Sequence, residues 1–497
     1  MSVINDAHDK QDFRFLESHF SSLPPSFYTR LRPTPLPSPY LICTNETLAN
    51  QFGIDHDTSS AGAGFTEIFT GNLCVTGSEP LASVYSGHQF GIWAGQLGDG
   101  RAILLGDLLH QNQQRYEVQL KGAGMTPYSR NGDGRAVLRS SIREFLCSEA
   151  MNALGIPSSR ALCITGSDQR VMRESPETTA VVTRIASSFI RFGNFEHWYY
   201  NRQHEHLKLL ADFVIKHYYP DCRNAKQPYK ALLSEITRKT AELMAHWQSV
   251  GFMHGVMNTD NMSILGITLD YGPFGFMEAY NDAHICNHTD QQGRYSYRMQ
   301  PEIGRWNTYA LGQAMLPLID SVEETEDALN IYQDSFSTHW EMLMRKKLGL
   351  FQTNVQDRPL IDNLFKLLQE NHADFTLTFR NLSHLENQSS EKDHDFLNLF
   401  INRLSAENWL RQYRERLCLE NCSQELRQQT MFSVNPKYIL RNYLAQIAIE
   451  KAQNKDFSEV SKLLNILQTP YDEQPEHNSY ARLPPDWASE LEVSCSS

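Results

Sequence analysis

The sequence of 497 residues lacks the features that mark membrane-spanning and exported proteins. No apolar stretch reaches the roughly 18 residues that a membrane helix needs. The opening segment, MSVINDAHDKQDFRF, contains acidic side chains and lacks the apolar core of a signal peptide. We therefore expect a cytoplasmic protein with no membrane partner.

Lysine-rich runs are also missing, and the net charge is −13 at pH 7. This charge argues against a nucleic acid as the main partner, because surfaces that bind DNA or RNA are basic. The nine cysteines contain no C-x-x-C pair, so a zinc site is not expected. With 41% hydrophobic residues, the chain has the composition of a globular protein. Its length suits two or three domain-sized units.

The most informative stretch is HGVMNTDNMSILGITLDYG, residues 254–272. The apolar run 262–269 is long enough for one short buried strand or for a tight β-turn-β pair. Either element would bring Asn261 and Asp270, at its two ends, to one place. Oxygen ligands of this kind suit Mg²⁺ or Mn²⁺. Protein kinases hold their metal with an Asn and an Asp in this order. The alternative is an ordinary turn rich in Asn and Asp.

One position departs from the kinase pattern. Aligned on His254 and Asn261, the position of the kinase catalytic base is occupied by Val256, which cannot accept a proton. The nearest carboxylate is Asp260. The protein is therefore either inactive as a kinase or performs a related reaction with a displaced base.

Two glycine-rich turns precede this stretch. Gly98-Asp99-Gly100-Arg101 leads into an apolar run, and Asn131-Gly132-Asp133-Gly134-Arg135 follows a predicted strand. The first turn is typical of a β-hairpin, but it also fits a loop that holds phosphate, with Arg101 as a charge partner. Between the turns, RYEVQLK alternates as a half-buried strand does, and Lys121 lies at its end. In kinases a lysine at such a position contacts phosphates; the alternative is a solvated lysine.

A helix is expected to begin near Ser140 or Ser141, because Ile142, Phe145 and Leu146 start an apolar stripe. Glu144 lies off that stripe. A strand lysine followed by such a glutamate resembles the Lys–Glu ion pair of kinases, here between Lys121 and Glu144. Glu144 could otherwise be a solvated helix residue.

Three short strands are expected next, at ALCITG, QRVMRE and TAVVTRI. Arg184 lies at the end of the third, and Arg191 follows shortly after it. Both arginines would lie at the mouth of a cleft, where a triphosphate needs positive charge. The alternative is a pair of surface salt bridges.

The outer parts of the chain are expected to be simpler. The proline-punctuated segment before residue 75 is expected to lie along a surface without forming a core. Residues 308 to about 470 are expected to be mostly helical, with a helix beginning at Asn435-Pro436. The polar, proline-containing end is expected to be a surface tail.

Together these motifs resemble the selenoprotein O family, protein adenylyltransferases with a protein-kinase-like fold. The resemblance covers most of the chain. It rests on SGHQFGIWAGQLGDGRA, QLKGAGMTPYSRNGDGRAVLRSSIREFL, VVTRIASSFIRFGNFE, HGVMNTDNMSILGITLDYGPFGFM and the terminal SCSS. In animal members the position that matches Cys495 is selenocysteine.

The resemblance implies an α+β, kinase-like fold of two lobes, a mostly β N-lobe and a helical C-lobe, with extensions at both ends. It divides the chain into an N-terminal extension (1–75), an N-lobe with nucleotide-binding residues (76–190), a C-lobe with catalytic and metal residues (191–430), and C-terminal helices with a tail that contains Cys495 (431–497).

The activity implied is transfer of AMP from ATP to Ser, Thr or Tyr hydroxyls of other proteins, including redox enzymes, with ATP bound in the opposite orientation to that in kinases. Asp260 would be the catalytic proton acceptor. Asn261 and Asp270 would hold Mg²⁺ or Mn²⁺, and Lys121 would pair with Glu144. The residues implied in nucleotide binding are Gly98, Gly100, Arg101, Lys121, Asp133, Gly134, Arg184, Arg191 and Asp270.

Other functions remain open on the sequence. A true kinase would transfer the γ-phosphate, a pseudokinase scaffold would bind nucleotide without turnover, and UTP could replace ATP as the donor. Cys495, close to the end of the chain, is a candidate redox residue, and Cys286 is its candidate partner in a regulatory disulfide. The alternative for Cys495 is an inert thiol.

Overall fold

The computed structural model describes residues 14–55 and 64–493. The N-terminal half of this part of the chain is dominated by antiparallel strands. Its strands are β1 (Tyr28–Arg30), β2 (Tyr40–Thr44), β3 (Leu81–Ser83), β4 (Ser86–Gln89), β5 (Ile92–Gln96), β6 (Ala102–Leu109), β7 (Arg115–Lys121), β8 (Ala136–Val137), β9 (Arg160–Met172), β10 (Pro176–Ala186), β11 (Phe252–Met253) and β12 (Gly275–Phe276).

Eight of these strands form one sheet in the order β1-β3-β6-β7-β10-β9-β2, with β8 paired to β10. The register places Lys121 opposite Ala102 on one side and Val182 on the other. Lys121 therefore lies in the middle of the sheet, next to the strand that carries Arg184. The hairpin β4–β5 forms a separate two-stranded sheet.

The rest of the described chain is mainly helical. Its helices are α1 (Glu46–Gln51), α2 (Gly64–Thr70), α3 (Leu138–Ala153), α4 (Phe192–Tyr200), α5 (His204–Tyr218), α6 (Pro228–Ser249), α7 (Gln300–Ile319), α8 (Val322–Lys347), α9 (Asp357–Asn371), α10 (Phe375–His384), α11 (Asp393–Leu397), α12 (Arg403–Leu417), α13 (Gln424–Phe432), α14 (Asn442–Gln453) and α15 (Ser458–Gln468). The predicted combination of an antiparallel sheet with a helical C-terminal half is confirmed. The kinase-like division into two lobes and the domain boundaries stay predictions.

The expectation that the segment before residue 75 lies on a surface is wrong. β1 and β2 from this segment form the two ends of the eight-stranded sheet. Phe20, Phe27 and Leu48 are buried, because the large apolar residues within and on either side of the proline-rich stretch pack against the sheet and its neighbours.

Three local expectations also need correction. ALCITG and QRVM belong to one continuous strand, β9, so the region holds a hairpin of two long strands instead of three short ones. Helix α3 begins at Leu138, two residues before the expected start. No helix begins at Asn435: its side-chain amide is buried and donates to Lys347 O and Ser383 Oγ, and the next helix begins at Asn442.

The main hydrophobic core joins the sheet to the helices. It runs from Ile142 and Phe145 on α3, through Trp247 on α6, to Leu440 and Leu444 near α14. Among the described residues, no helix has the length and apolar character needed to cross a membrane.

Lys347, at the end of α8, is an ionisable residue buried next to a second hydrophobic core of the molecule. It is only 4% exposed, lies 4.6 Å from the centre of the Phe379 ring, and forms no ion pair with another described residue. Burial lowers its pKa to about 7. Below that pH the folded protein must bury a charged ammonium, whereas the unfolded chain leaves it in water.

We therefore expect Lys347→Met to stabilise the protein by on the order of 3 kcal/mol near pH 6.5. Because the unfolded lysine stays protonated up to its ordinary pKa of about 10.4, the cost of burying Lys347 decreases as the pH rises from about 7. The advantage of the variant should decrease in the same range. Melting temperatures at pH 6.5 and pH 9.5 measure this. The neighbouring Lys346 is exposed, and Lys346→Met is the matched control. An equal gain at both pH values would contradict the prediction.

Candidate active site

A cavity of about 860 Å³ lies between the sheet and the helical half of the chain. It gathers residues from segments that are far apart in sequence. Eleven of the predicted site residues line it: Gly98, Gly100, Arg101, Lys121, Asp133, Gly134, Arg184, Arg191, Asp260, Asn261 and Asp270. Glu144, on α3, is buried behind Lys121 instead.

Asp270 is the centre of an ion-pair network on the inner wall of this cavity. Arg184 Nη1 lies 2.6 Å from Asp270 Oδ1 and 3.2 Å from Glu144 Oε1. Lys121 Nζ lies 2.5 Å from Glu144 Oε2 and 3.4 Å from Asp270 Oδ1. Arg191 contacts the other oxygen, Asp270 Oδ2. The solvated alternatives for Lys121 and Glu144 are therefore wrong, and so is the alternative that Arg184 and Arg191 form salt bridges at the surface.

The charged groups of this network shift one another's pKa values. Burial alone would raise the pKa of Asp270, but Arg191, Arg184 and Lys121 outweigh burial and hold that pKa well below its usual range. Burial lowers the pKa of Lys121, and Glu144 and Asp270 oppose that shift only in part. Asp270 is thus a carboxylate at neutral pH and can bind cations.

Arg101 adds a fourth cation to the same wall. Its guanidinium forms no hydrogen bond or ion pair with another described residue, and burial lowers its pKa. The lining of the whole cavity contains seven Arg and Lys side chains and five Asp and Glu side chains, so cationic groups are in excess. Such a surface favours an anion, and a bound phosphate would supply the partner that Arg101 lacks.

The stretch 262–269 forms the tight β-turn-β pair, with an isolated antiparallel bridge between Met262 and Thr268. This turn brings Asn261 and Asp270 to the same cavity. Asp270 has a φ of +58°, a left-handed conformation that Asp and Asn tolerate better than most residues. Asn261 Nδ2 donates to Val256 O at 3.0 Å, which leaves its Oδ1 available to a ligand.

Asp260 is the buried carboxylate next to Asn261. It is 8% exposed, and burial raises its pKa to about 6. Gln89 Nε2 donates to Asp260 Oδ2 at 3.2 Å, whereas Oδ1 has no hydrogen-bond partner in the described structure. Arg191 Nη1 donates to the backbone carbonyl of Asp260 at 2.6 Å and so joins this carboxylate segment to the Asp270 network.

The two glycine turns also line the cavity. A side chain at Gly134, where φ is +69°, would place its Cβ 2.2 Å from Gly124 O, so only glycine fits there. The Asp133 carboxylate accepts hydrogen bonds from both Nη atoms of Arg173, at 2.8 and 2.9 Å. These bonds lower the pKa of Asp133. Asp133 lines the cavity, but in this structure its carboxylate is already paired.

Sequence reasoning missed several residues at the site. Arg173 was part of an expected strand with no assigned role, yet it lines the cavity from the β9–β10 turn. Gln119 contacts Arg184 from the strand position two residues before Lys121. That spacing places Gln119 on the same face as Lys121, and it was the available signal. Gln89, which also lines the cavity, belongs to the stretch SGHQFGIWAGQLGDGRA but had no assigned role, and Tyr85 lies just before that stretch.

The described residues offer only a small set of ligands for a hard divalent cation at this site. No group of three or more His, Cys, Asp or Glu side chains suited to a metal occurs within residues 14–55 and 64–493. Asn261 Oδ1 and the Asp270 carboxylate nevertheless face one cavity, and both are oxygen ligands suited to Mg²⁺ or Mn²⁺. A metal bound there would take its remaining ligands from phosphate oxygens and water.

Of the two candidate redox cysteines, Cys286 lies within the described residues. Cys286 is buried, and its Sγ donates to Pro273 O at 2.9 Å, close to the Asp270 segment. Cys495 lies outside the described residues. The disulfide between them therefore stays a prediction.

Comparison with known proteins adds an independent finding. A family model described as "Protein adenylyltransferase SelO" matches residues 13–468. The chain is similar to a "Protein nucleotidyltransferase YdiU" of Herminiimonas arsenicoxydans, at 62% identity over 485 residues, which covers 97% of each chain. It is also similar to proteins of the same description from Burkholderia pseudomallei (strain 1710b), at 54% identity over 96% of this chain and 95% of the relative, and from Dechloromonas aromatica (strain RCB), at 54% identity over 98% of each.

Proposed function

Because the chain belongs to the SelO family of protein adenylyltransferases and is therefore a nucleotidyltransferase, we propose that it transfers AMP from ATP to Ser, Thr or Tyr hydroxyls of protein substrates. The observation that carries this proposal is the position of the carboxylates around the cavity. Val256 lines the cavity at the position that aligns with the kinase base, while Asp260 places a carboxylate at the same cavity beside Asn261.

Nucleotide binding follows from the charges of the inner wall. Arg101, Lys121, Arg184 and Arg191 would neutralise the triphosphate, with Gly98 and Gly100 allowing the backbone to approach it closely. Arg184 and Arg191 are already oriented by Asp270, so little reorganisation is needed when phosphate binds.

Asn261 and Asp270 would hold the Mg²⁺ or Mn²⁺ ion, which when bound neutralises phosphate charge and orients the triphosphate. All other tasks belong to side chains of the chain itself. Lys121 and Arg191 would stabilise the charge that develops on the phosphate oxygens. Glu144 would keep Lys121 directed into the cavity.

Asp260 would accept the proton of the incoming hydroxyl. The hydroxyl oxygen forms a bond to the α-phosphorus, the bond from that phosphorus to the bridging oxygen breaks, and pyrophosphate leaves with the electron pair. Burial raises the basicity of Asp260, which suits a proton acceptor. In a kinase the reacting phosphorus is the terminal one, so the base has a different position.

The position of the label in the product tests this proposal. With ATP radiolabelled at the α-phosphorus and either Mg²⁺ or Mn²⁺, we expect proteins of a bacterial lysate to become labelled, whereas ATP labelled at the γ-phosphorus should leave them unlabelled. Mass spectrometry of the labelled proteins should find AMP on Ser, Thr or Tyr.

Each alternative gives another pattern. A kinase would label proteins only from the γ-position, and a scaffold would label none. Stronger labelling with UTP than with ATP would replace AMP by UMP as the transferred group. Regulation through Cys286 and Cys495, the inclusion of redox enzymes among the substrates, and the cytoplasmic location stay predictions from the sequence.

A further inference from the structure

The hairpin β4–β5 lies directly against the segment that carries Asp260, although the two are far apart in sequence. His88 N donates to Thr259 Oγ1 at 2.7 Å, and Phe90 N donates to Asn258 Oδ1 at 3.1 Å. With the bond from Gln89 to Asp260, three successive residues of β4 and its turn bind three successive residues of the catalytic segment. The hairpin is thus joined to the catalytic segment through three side chains of that segment.

The hairpin is also fixed by contacts with helix α4. His88 Nδ1 lies 2.5 Å from Glu196 Oε1, and Glu196 is fully buried on α4. The same helix approaches β4 so closely that a Cβ at Gly193 would lie 2.1 Å from Ser86 O. β4 therefore has little room to move relative to α4.

The two oxygens of Asp260 meet different parts of β4. Oδ2 accepts the hydrogen bond from Gln89, and Oδ1 faces Gly87, where an added Cβ would lie 3.0 Å away. Oδ1 is the oxygen without a partner. Since Oδ2 is fixed by Gln89 and the buried Oδ1 is confined by Gly87, the hairpin determines the orientation of the Asp260 carboxylate.

We propose that Gln89 is a positioning residue, which holds the Asp260 carboxylate in the orientation in which it accepts the proton of the acceptor hydroxyl. This inference rests on the proposed role of Asp260 as proton acceptor. The hairpin leads directly into the Gly98–Arg101 turn of the nucleotide wall, with Leu97 N bonded to Tyr85 O at 2.9 Å. One continuous segment therefore connects the glycine turn at the proposed nucleotide site to Asp260.

Gln89→Met keeps the length of the side chain and removes the donor. We expect it to lower kcat for AMP transfer about 10- to 100-fold, the range expected when a reacting group is displaced. The KM for ATP should change less than about twofold, because the cationic wall is untouched. Initial rates with α-labelled ATP and a fixed preparation of lysate proteins give both constants.

Two further variants separate positioning from folding. Gln96 is an exposed glutamine on the same hairpin, and Gln96→Met should behave as the unmodified protein. Gly87→Ala, which presses on the other oxygen of Asp260, should lower kcat in the same direction as Gln89→Met. Melting temperatures of all three variants should stay close to that of the unmodified protein.

Combination with Asp260→Asn completes the test. In that background Gln89→Met should cause little further loss, because there is no base left to orient. A kcat within about twofold of normal for Gln89→Met, or the same fold loss in both backgrounds, would overturn the inference. A fully active Asp260→Asn variant would instead refute the role of Asp260 in the proposed function, and this result is visible without any change at Gln89.

Discussion

Asp270→Asn is expected to lower kcat for AMP transfer by about 1,000-fold or more. Several kcal/mol of transition-state stabilisation depend on a metal held next to the phosphates, and each 1.36 kcal/mol corresponds to about tenfold in rate. Asn keeps an oxygen in place but loses the charge that makes Asp270 a strong ligand for a divalent cation. The expected loss therefore lies in catalysis.

The substitution is chosen because of the backbone at this position. Asp270 has a φ of +58°, which Asn adopts more readily than Ala, so backbone strain should not contribute to the loss of activity in Asp270→Asn. Asp320 has the same φ of 58° at the end of α7, and Asp320→Asn is the matched control, for which normal activity is expected.

Binding of ATP without metal should survive in Asp270→Asn or become tighter, because Arg184 and Arg191 lose their carboxylate partner and become available to phosphate. The same loss of an ion-pair partner should lower the melting temperature of the nucleotide-free variant, and ATP should restore it. Calorimetric titration and thermal scans measure these effects. A variant that transfers AMP at the normal rate would show that Asp270 does not hold the catalytic metal.

Asp260→Asn is expected to lower kcat by about 10²- to 10⁴-fold, the usual contribution of a positioned general base. Asn has nearly the same shape but cannot accept the proton of the hydroxyl. The KM for ATP should remain nearly unchanged, since Asp260 is outside the cationic wall. This combination distinguishes Asp260 from Asp270, whose substitution should alter nucleotide binding as well.

The variant should also remain folded. Burial disfavours the charged form of Asp260 and one of its oxygens has no partner, so a neutral amide costs less to bury. Kinetics with α-labelled ATP and melting temperatures test both statements. Asp221, an exposed aspartate on the surface, offers Asp221→Asn as a control. Normal turnover in Asp260→Asn would assign the proton to another acceptor, such as water.

Much of the site was open to prediction because its chemistry depends on residue type and order. Lys121, Glu144, Asn261 and Asp270 occur in the kinase order, and Val256 shows by its own side chain that the kinase base is missing. The tight turn at 262–269 was one of two alternatives that the short apolar run left open, and the structure decides between them.

Errors arose where distant packing overrode local signals. The proline-rich start of the chain resembled a surface extension, but β1 and β2 complete the sheet because their apolar neighbours find a core to join. Asn435-Pro436 resembled a helix start, yet the Asn435 side chain bonds to Lys347 and Ser383 instead.

Residue identities alone predicted a metal pair, a cationic nucleotide-binding wall and a displaced base in this chain, and these residues meet at one cavity. Only folding joined Arg184 to Asp270, 86 positions away, and Gln89 to Asp260, 171 positions away. Contacts of this kind depend on strand register and on how a hairpin packs against a distant segment. Neither leaves a periodic pattern in the residues concerned, which is why the partner of Asp260 became visible only in the tertiary structure.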